Sequence, residues 1–261
     1  MAKKRTERAE RMTEQWDTLR NGVVLAELGG LGDGPYCAVH GKGAALVTMG
    51  TYIVDPGDSI PYDAAFVFRT DQPCYQDYLR RHVAAAKECG AKVGVSVVSV
   101  DLTHTIEFLQ SAEEAGADYL SLCLHSDMEM FVSAGMSSAL LREENWPRLR
   151  EHLSRCLAAL GRPFIAKIGC AGLPKAESAV AEITAAGVRL IHANVGAAAT
   201  AQGRDTIRRL RSHSEFLIAG GGVTSVEEAR AALEAGADAV AIGTAAMHDP
   251  AFCGRLQASL R

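Results

Sequence analysis

The chain has 261 residues, 48% of them apolar, and a formal net charge of −4. That length suits one large α/β domain or two small ones around a sizeable core, and the acidic balance gives no sign of a nucleic-acid partner. No run of eighteen apolar residues occurs, so no membrane span is expected.

The opening segment MAKKRTERAERMTEQWDTLR lacks the apolar stretch of a signal peptide. Its alternating charges predict a short helical extension or solvated arm over residues 1–21, ahead of one domain spanning 22–261. Short runs rich in Val, Ile and Ala then read as strands at 23–26, 45–49, 92–98, 118–124, 163–168, 188–193, 216–219 and 239–242. They do not alternate polar with apolar, as expected for strands buried on both faces of a parallel sheet. Helical patterns follow most of them, at 75–89, 103–115, 145–160, 175–186, 204–212 and 225–235. Helices end in a glycine that leads into the next strand, as in ECGAKV, EAGADY, AAGVRL and EAGADA. Ser225 with Glu228 has capping-box spacing, and Asp101 or Thr103 is placed to cap the helix over 103–115. The seven cysteines are odd in number and form no C-x-x-C pair, which points away from a disulfide framework or zinc ribbon and toward the cytoplasm.

Eight strands alternating with helices predict a single (β/α)8 TIM barrel. A doubly wound sheet would carry its G-x-G-x-x-G after the first strand, and the GGLGDG turn at 29–34 lacks that spacing. The long excursions at 50–73 and 125–144 then fall at the C-terminal face, where loops build the active site.

The segment IAGGGVTSVEEARAALEAGADAVAIGTAAM places two small-residue turns after consecutive strands. Gly220, Gly221 and Gly222, then Gly243 and Thr244, expose backbone N–H groups that can grip one phosphate. Lys167 ends its strand in PFIAKIG, where an unpartnered cation is costly to bury, so it is expected over the barrel mouth. There it would offset ligand charge or form a Schiff base. His192 ends LIHAN with Asn194 on the same face, and Glu27 ends the first strand, placed to bond a ligand ring or pair with Lys167. In DYLSLCLHSD, Ser121, Cys123 and His125 share a face, with Asp127 joining if the strand continues; Cys123, His125 and Ser126 are candidates for proton transfer. Three ligands along one extended strand lie too far apart to hold a metal, so none is expected.

These pieces occur in an order that resembles the FMN-binding barrels of the tRNA-dihydrouridine synthases and dihydroorotate dehydrogenases. VVLAELGGLGDGPYCAVHGKGAALVTMG is similar to the first βαβ segment, SAGMSSALLREENWPRL to a glycine-rich segment and its helix, and PFIAKIG and LIHAN to the strands carrying a flavin-binding lysine and histidine. The resemblance implies FMN, with its phosphate at Gly221, Gly222, Gly243 and Thr244 and its ring near Lys167, His192, Asn194, Ala26 and Glu27. Two departures stand out. The expected asparagine and cysteine of the strand-four turn are Cys123 and Ser126, and an LAPM-like stretch becomes Leu25-Ala26-Glu27-Leu28, bringing a carboxylate into the flavin layer. The chain also ends one helix after the eighth strand, without the helical domain such synthases use on RNA, so tRNA is not expected as substrate.

The resulting expectation is an FMN-dependent oxidoreductase acting on a small cyclic, dihydropyrimidine-like metabolite. Hydride would pass through flavin N5, and His125 or Ser126, alternatively Cys123, would carry the proton. The partner is a small-molecule substrate, with no nucleic acid and no membrane, and a homodimer is left open. The alternatives are a flavin-free sugar-phosphate lyase or isomerase using Lys167, and a non-catalytic barrel that binds FMN or a phosphate metabolite.

Overall fold

The computed structural model describes residues 16–55, 66–72 and 74–261. Most of the arm expected over 1–21, and 56–65 of the excursion at 50–73, lie outside the described residues. The strands are β1 Gly22–Leu25, β2 Leu46–Val54, β3 Val67–Phe68, β4 Lys92–Ser99, β5 Tyr119–Leu124, β6 Phe164–Gly169, β7 Leu190–Asn194, β8 Phe216–Gly220 and β9 Ala239–Ile242. All but β3 form a closed parallel ring in chain order, because β1 pairs with both β2 and β9. The helices are α1 Gly34–His40, α2 Cys74–Lys87, α3 Leu102–Glu114, α4 Glu129–Ser133, α5 Trp146–Ala159, α6 Ala176–Ala185, α7 Ala201–Arg211, α8 Val226–Glu234, α9 Thr244–His248 and α10 Phe252–Leu260. The molecule is therefore the (β/α)8 barrel that the alternation of apolar runs and helical patterns predicts.

The two-residue period of the strands divides the interior into a dry floor and a polar mouth. Toward the N-terminal ends, Val24, Leu46, Tyr119, Ile165, Leu190 and Phe216 pack together inside the ring, and Trp16 and Leu19 close it from below. Arg20 anchors this plug through Asp238, and the Arg189 guanidinium lies 5.9 Å from the Trp16 ring centroid, within cation–π range. One repeat further along the same inward rows stand Ser121, Lys167 and His192, all buried. Register aligns Cys123 with Lys167 and Lys167 with His192, so these side chains share one level of the barrel. The outward residues form a separate apolar layer under the helices.

Several local features depart from the sequence expectation. β2 runs on to Val54, because Tyr52 is buried against Phe66, Phe68 and Phe108 and draws the chain past residue 49 as strand. The segment after the GGLGDG turn forms α1, capped by Asp33 Oδ1 accepting from Tyr36 N at 2.8 Å and opened by Pro35. At seven residues this helix is too short to show a periodic signal. Asp101, not Thr103, caps α3. Ser225 caps α8, and Glu228 reaches back to the Ser225 backbone and to Thr224 N, the latter at 2.6 Å, as the capping-box spacing predicts. All seven cysteines are free, and no described helix is long and apolar enough to cross a membrane.

The plug yields a stability prediction. Trp16→Ala should lower the unfolding free energy by about 3–5 kcal/mol, read as a lower urea midpoint at unchanged slope. A loss below about 1 kcal/mol would show that the floor closes without it.

Candidate functional site

A cavity of about 240 Å³ opens at the C-terminal face between β1, β6, β7, β8 and β9. Every residue expected from sequence to touch a cofactor lines it: Ala26, Glu27, Lys167, His192 and Asn194 at the barrel axis, and Gly221, Gly222, Gly243 and Thr244 at the rim.

The rim consists of two turns. Gly221 has φ +118, and a Cβ there would come within 2.8 Å of Asn194 Oδ1 and of the Gly196 backbone, so only glycine fits. Asn194 Oδ1 accepts from Gly196 N at 3.0 Å, and Ala198 N donates to Gly221 O at 2.9 Å, which holds the β7 and β8 turns together. Gly243 has a negative φ, with φ −128 and ψ −81 outside the helical and extended regions, and its missing side chain leaves room for Leu28, 3.2 Å from the position of a Cβ. It precedes α9, whose first-turn N–H groups at Thr244 and Ala245 have no intrahelical acceptor and lie on the cavity wall. The start of α8 differs, because Glu228 occupies its own helix terminus. Backbone donors free to meet a ligand on the cavity wall therefore lie in the glycine turn and α9 rather than at α8.

At the inner end lies a buried charge cluster. Alternation along β1 would send Glu27 outward with Val23 and Leu25, but the strand ends at Leu25 and Glu27 turns into the barrel. Its Oε1 receives Lys167 Nζ at 3.1 Å and Ser96 Oγ at 3.2 Å. Its Oε2 has no hydrogen-bond partner among the described residues, and His192 Nδ1 stands 3.7 Å away, beyond hydrogen-bond length. Burial alone would raise the Glu27 pKa, but Lys167 and then His192 outweigh it and hold the carboxyl below its usual range. Burial dominates at His192, against the pull of Glu27 and with Lys167 assisting, and lowers its pKa to about 4, so the imidazole is neutral at pH 7.

The three proton-transfer candidates separate. Cys123 is buried at the level of Lys167, and burial raises its pKa despite that lysine, so it is a thiol at neutral pH. His125 lies just past β5 with its ring over Gly169, where any side chain would collide with it. Burial and then Lys167 lower its pKa, leaving a neutral base. It lines a second cavity of about 430 Å³, on the far side of β6, together with Asp127, Ser138 and Arg142. Ser126 stands apart from the other two candidates. It lines neither of these cavities; its N–H donates to Ser137 Oγ at 2.9 Å and its hydroxyl accepts from Met128 N at 3.4 Å. The chain turns after Leu124 and spends Ser126 on bracing the loop that follows.

Two participants were missed in the sequence. Ser96 bonds Glu27 and sits 3.3 Å from Thr51 Oγ1; its signal is a hydroxyl in the middle of the buried run VGVSVV. Arg142 sits in a polar stretch whose arrangement depends on the loop's path.

With this geometry in place, two likenesses can be stated. A family model described as Histidine biosynthesis protein matches residues 177–260, which carry β7, β8, β9 and both turns of the rim. A structure of a single-substitution mutant of FabK from Thermotoga maritima is similar to this chain with a TM-score of 0.59 at 14% identity, covering 91% of this chain and 65% of that one. The chain thus spans just under two thirds of that protein's length, and the likeness is one of fold.

Two measurements check the site. Gly221→Ala should abolish binding of inorganic phosphate, followed by amide chemical shifts at the two turns, whereas Gly222→Ala, with φ +65 but a Cβ only in ordinary contact 3.6 Å from Gly196 O, should only weaken it. Equal binding by both variants would contradict the cradle. The folded His192 has its pKa below the ordinary 6.5, at about 4, so the unfolded chain binds the extra proton between those values. Stability should be fully present above pH 6.5 and fall by about 3 kcal/mol as pH drops toward 4, with His192→Asn flattening the slope by about one proton. His152, also lowered to about 4 by burial, leaves a residual slope in that variant. An unchanged slope would contradict the burial argument for His192.

Proposed function

We propose that this chain is an FMN-dependent oxidoreductase acting on a small cyclic metabolite of dihydropyrimidine-like type, and not on tRNA. The observation that carries the reading is the single cavity joining the two-turn anion rim to the Glu27–Lys167–His192 cluster. The residues present fit the cofactor. Gly221 leaves a cradle that a Cβ would fill, and the buried Glu27 Oε2 is an acceptor for which the described residues supply no donor. Bound FMN would supply two-electron hydride chemistry that no side chain can.

The chain's own residues have separate tasks. The glycine turn and α9 hold a phosphate. Lys167 places positive charge beside the ring, and Glu27 and Ser96 fix its position. Neutral His125 accepts or returns the substrate proton from the edge of the cluster. Cys123 stays protonated and fills the barrel beside Lys167.

A second reading, a flavin-free lyase or isomerase acting on a sugar phosphate, draws support from the family match over 177–260. Imine formation needs the lone pair of the Lys167 amine, and that amine is engaged in an ion pair at 3.1 Å, so this route would first have to break the pair.

The test is titration of purified protein with FMN, followed by visible absorbance. Saturable binding at a 1:1 ratio is expected. Removing Lys167 alone would strand a buried carboxylate, so the informative variant is Lys167→Met with Glu27→Gln. It should stay folded and bind FMN at least about tenfold more weakly. A protein that stays colourless after FMN is supplied, or a double variant that binds FMN as tightly as the original, overturns the proposal. Borohydride trapping of a substrate on Lys167 would favour the second reading.

A further inference from the structure

We propose that the second cavity, beyond β6, is a binding site for a small carboxylate that also carries an N–H donor. As a binding site it stands on its own geometry, apart from the reading above.

The polar groups along this cavity are unspent. Arg142 is exposed and makes no ion pair among the described residues, because the neighbouring Glu143 is taken by Lys175. Asp127 is likewise exposed and meets no cation among the described residues. Arg142 and Asp127 line the same space without pairing to each other. Ser138 Oγ is buried there with no partner, and the remaining wall is apolar, from Leu124, Leu141 and Leu173. A planar guanidinium with a nearby hydroxyl matches a carboxylate edge. Asp127 offers only acceptors, so it repels a bare anion and requires a ligand that also presents a donor. The apolar wall accommodates a small ring.

The site is also preorganised. Ser137 Oγ bridges Ser126 N at 2.9 Å and Cys123 O at 3.1 Å, and Trp146 Nε1 donates to Leu141 O at 3.1 Å, pinning both ends of the short turn that carries Ser138 toward Arg142. His125 stands over Gly169 on the wall of this cavity and feels both Lys167 and Glu27 electrostatically. A ligand in the second cavity would therefore lie against the base, with the proposed cofactor site across β6.

The test is a chemical-shift titration of protein carrying isotope-labelled histidine, read at the His125 ring with three probes. Pyroglutamate has a carboxylate and a ring N–H; cyclopentanecarboxylate has only the carboxylate; pyrrolidinone has only the ring amide. Pyroglutamate should bind at least about tenfold more tightly than either of the others. Arg142→Gln should erase its advantage over pyrrolidinone, and Asp127→Ala its advantage over cyclopentanecarboxylate; both residues are exposed, so neither change threatens the fold. Equal binding of the three probes, no binding, or an advantage that survives Arg142→Gln overturns the proposal. Inorganic phosphate, titrated in parallel and read at the Gly221 and Gly222 amides, separates the two claims. Phosphate binding without pyroglutamate binding defeats this site alone, whereas pyroglutamate binding without phosphate defeats the cofactor reading and leaves this site standing.

Discussion

The buried ion pair between Glu27 and Lys167 is the constraint around which the mouth of the barrel is arranged. Two opposite charges inside a protein lose several kcal/mol each in solvation, and they persist only with close geometry and further hydrogen bonds. Here they sit 3.1 Å apart, on opposite sides of the ring, with Ser96 supporting the carboxylate from a third strand. The pair cross-braces β1 and β6. Burial, rather than the pair, sets the protonation of its neighbours: His192 is neutral because burial outweighs the pull of Glu27, and Cys123 remains a thiol although a lysine lies alongside. One carboxylate oxygen is left with its lone pairs unused at the cavity wall. A ligand that brings a donor to that oxygen removes a desolvation penalty that folding leaves in place.

The rim works on a different principle. It carries no side-chain cation; its donors are backbone groups exposed by the Gly221–Gly222 conformation and by the first turn of α9. Fixed dipoles of this kind bind an anion without ordering a flexible side chain. Under the proposed function, a rim of backbone donors and an inner charge cluster would suit a ligand with two chemically distinct ends. The dry floor below, sealed by Trp16 and Leu19, keeps water from entering the barrel from the opposite side.

The barrel was legible because its signals are redundant: eight apolar runs, six helical patterns and four glycine joints all agree. Lys167, His192 and the glycine turns were legible for a related reason, since a polar residue ending a buried strand and a triple glycine between strand and helix each stand out against their surroundings. Glu27 was found although the alternation of β1 points it the wrong way; its place at the strand's end mattered more than its parity. The position of Ser126 was not legible because the turn after Leu124 obeys no period, and a serine that braces a loop looks the same in sequence as one that touches substrate. Ser96 and Arg142 escaped for opposite reasons, the first as a small hydroxyl in an apolar strand, the second as one charge among many on a polar loop. The extension of β2 depends on aromatic contacts between segments distant in the chain, which no local pattern encodes.

The central claim, that one cavity holds a phosphorylated cofactor with its phosphate at the rim and its ring at the ion pair, is tested most directly by a crystal structure of the protein grown with FMN. The account predicts phosphate density between the Gly221–Gly222 turn and Gly243–Thr244, with the ring beside Lys167 and a ring donor facing Glu27. Phosphate density elsewhere, or a ring placed away from Lys167, would contradict it.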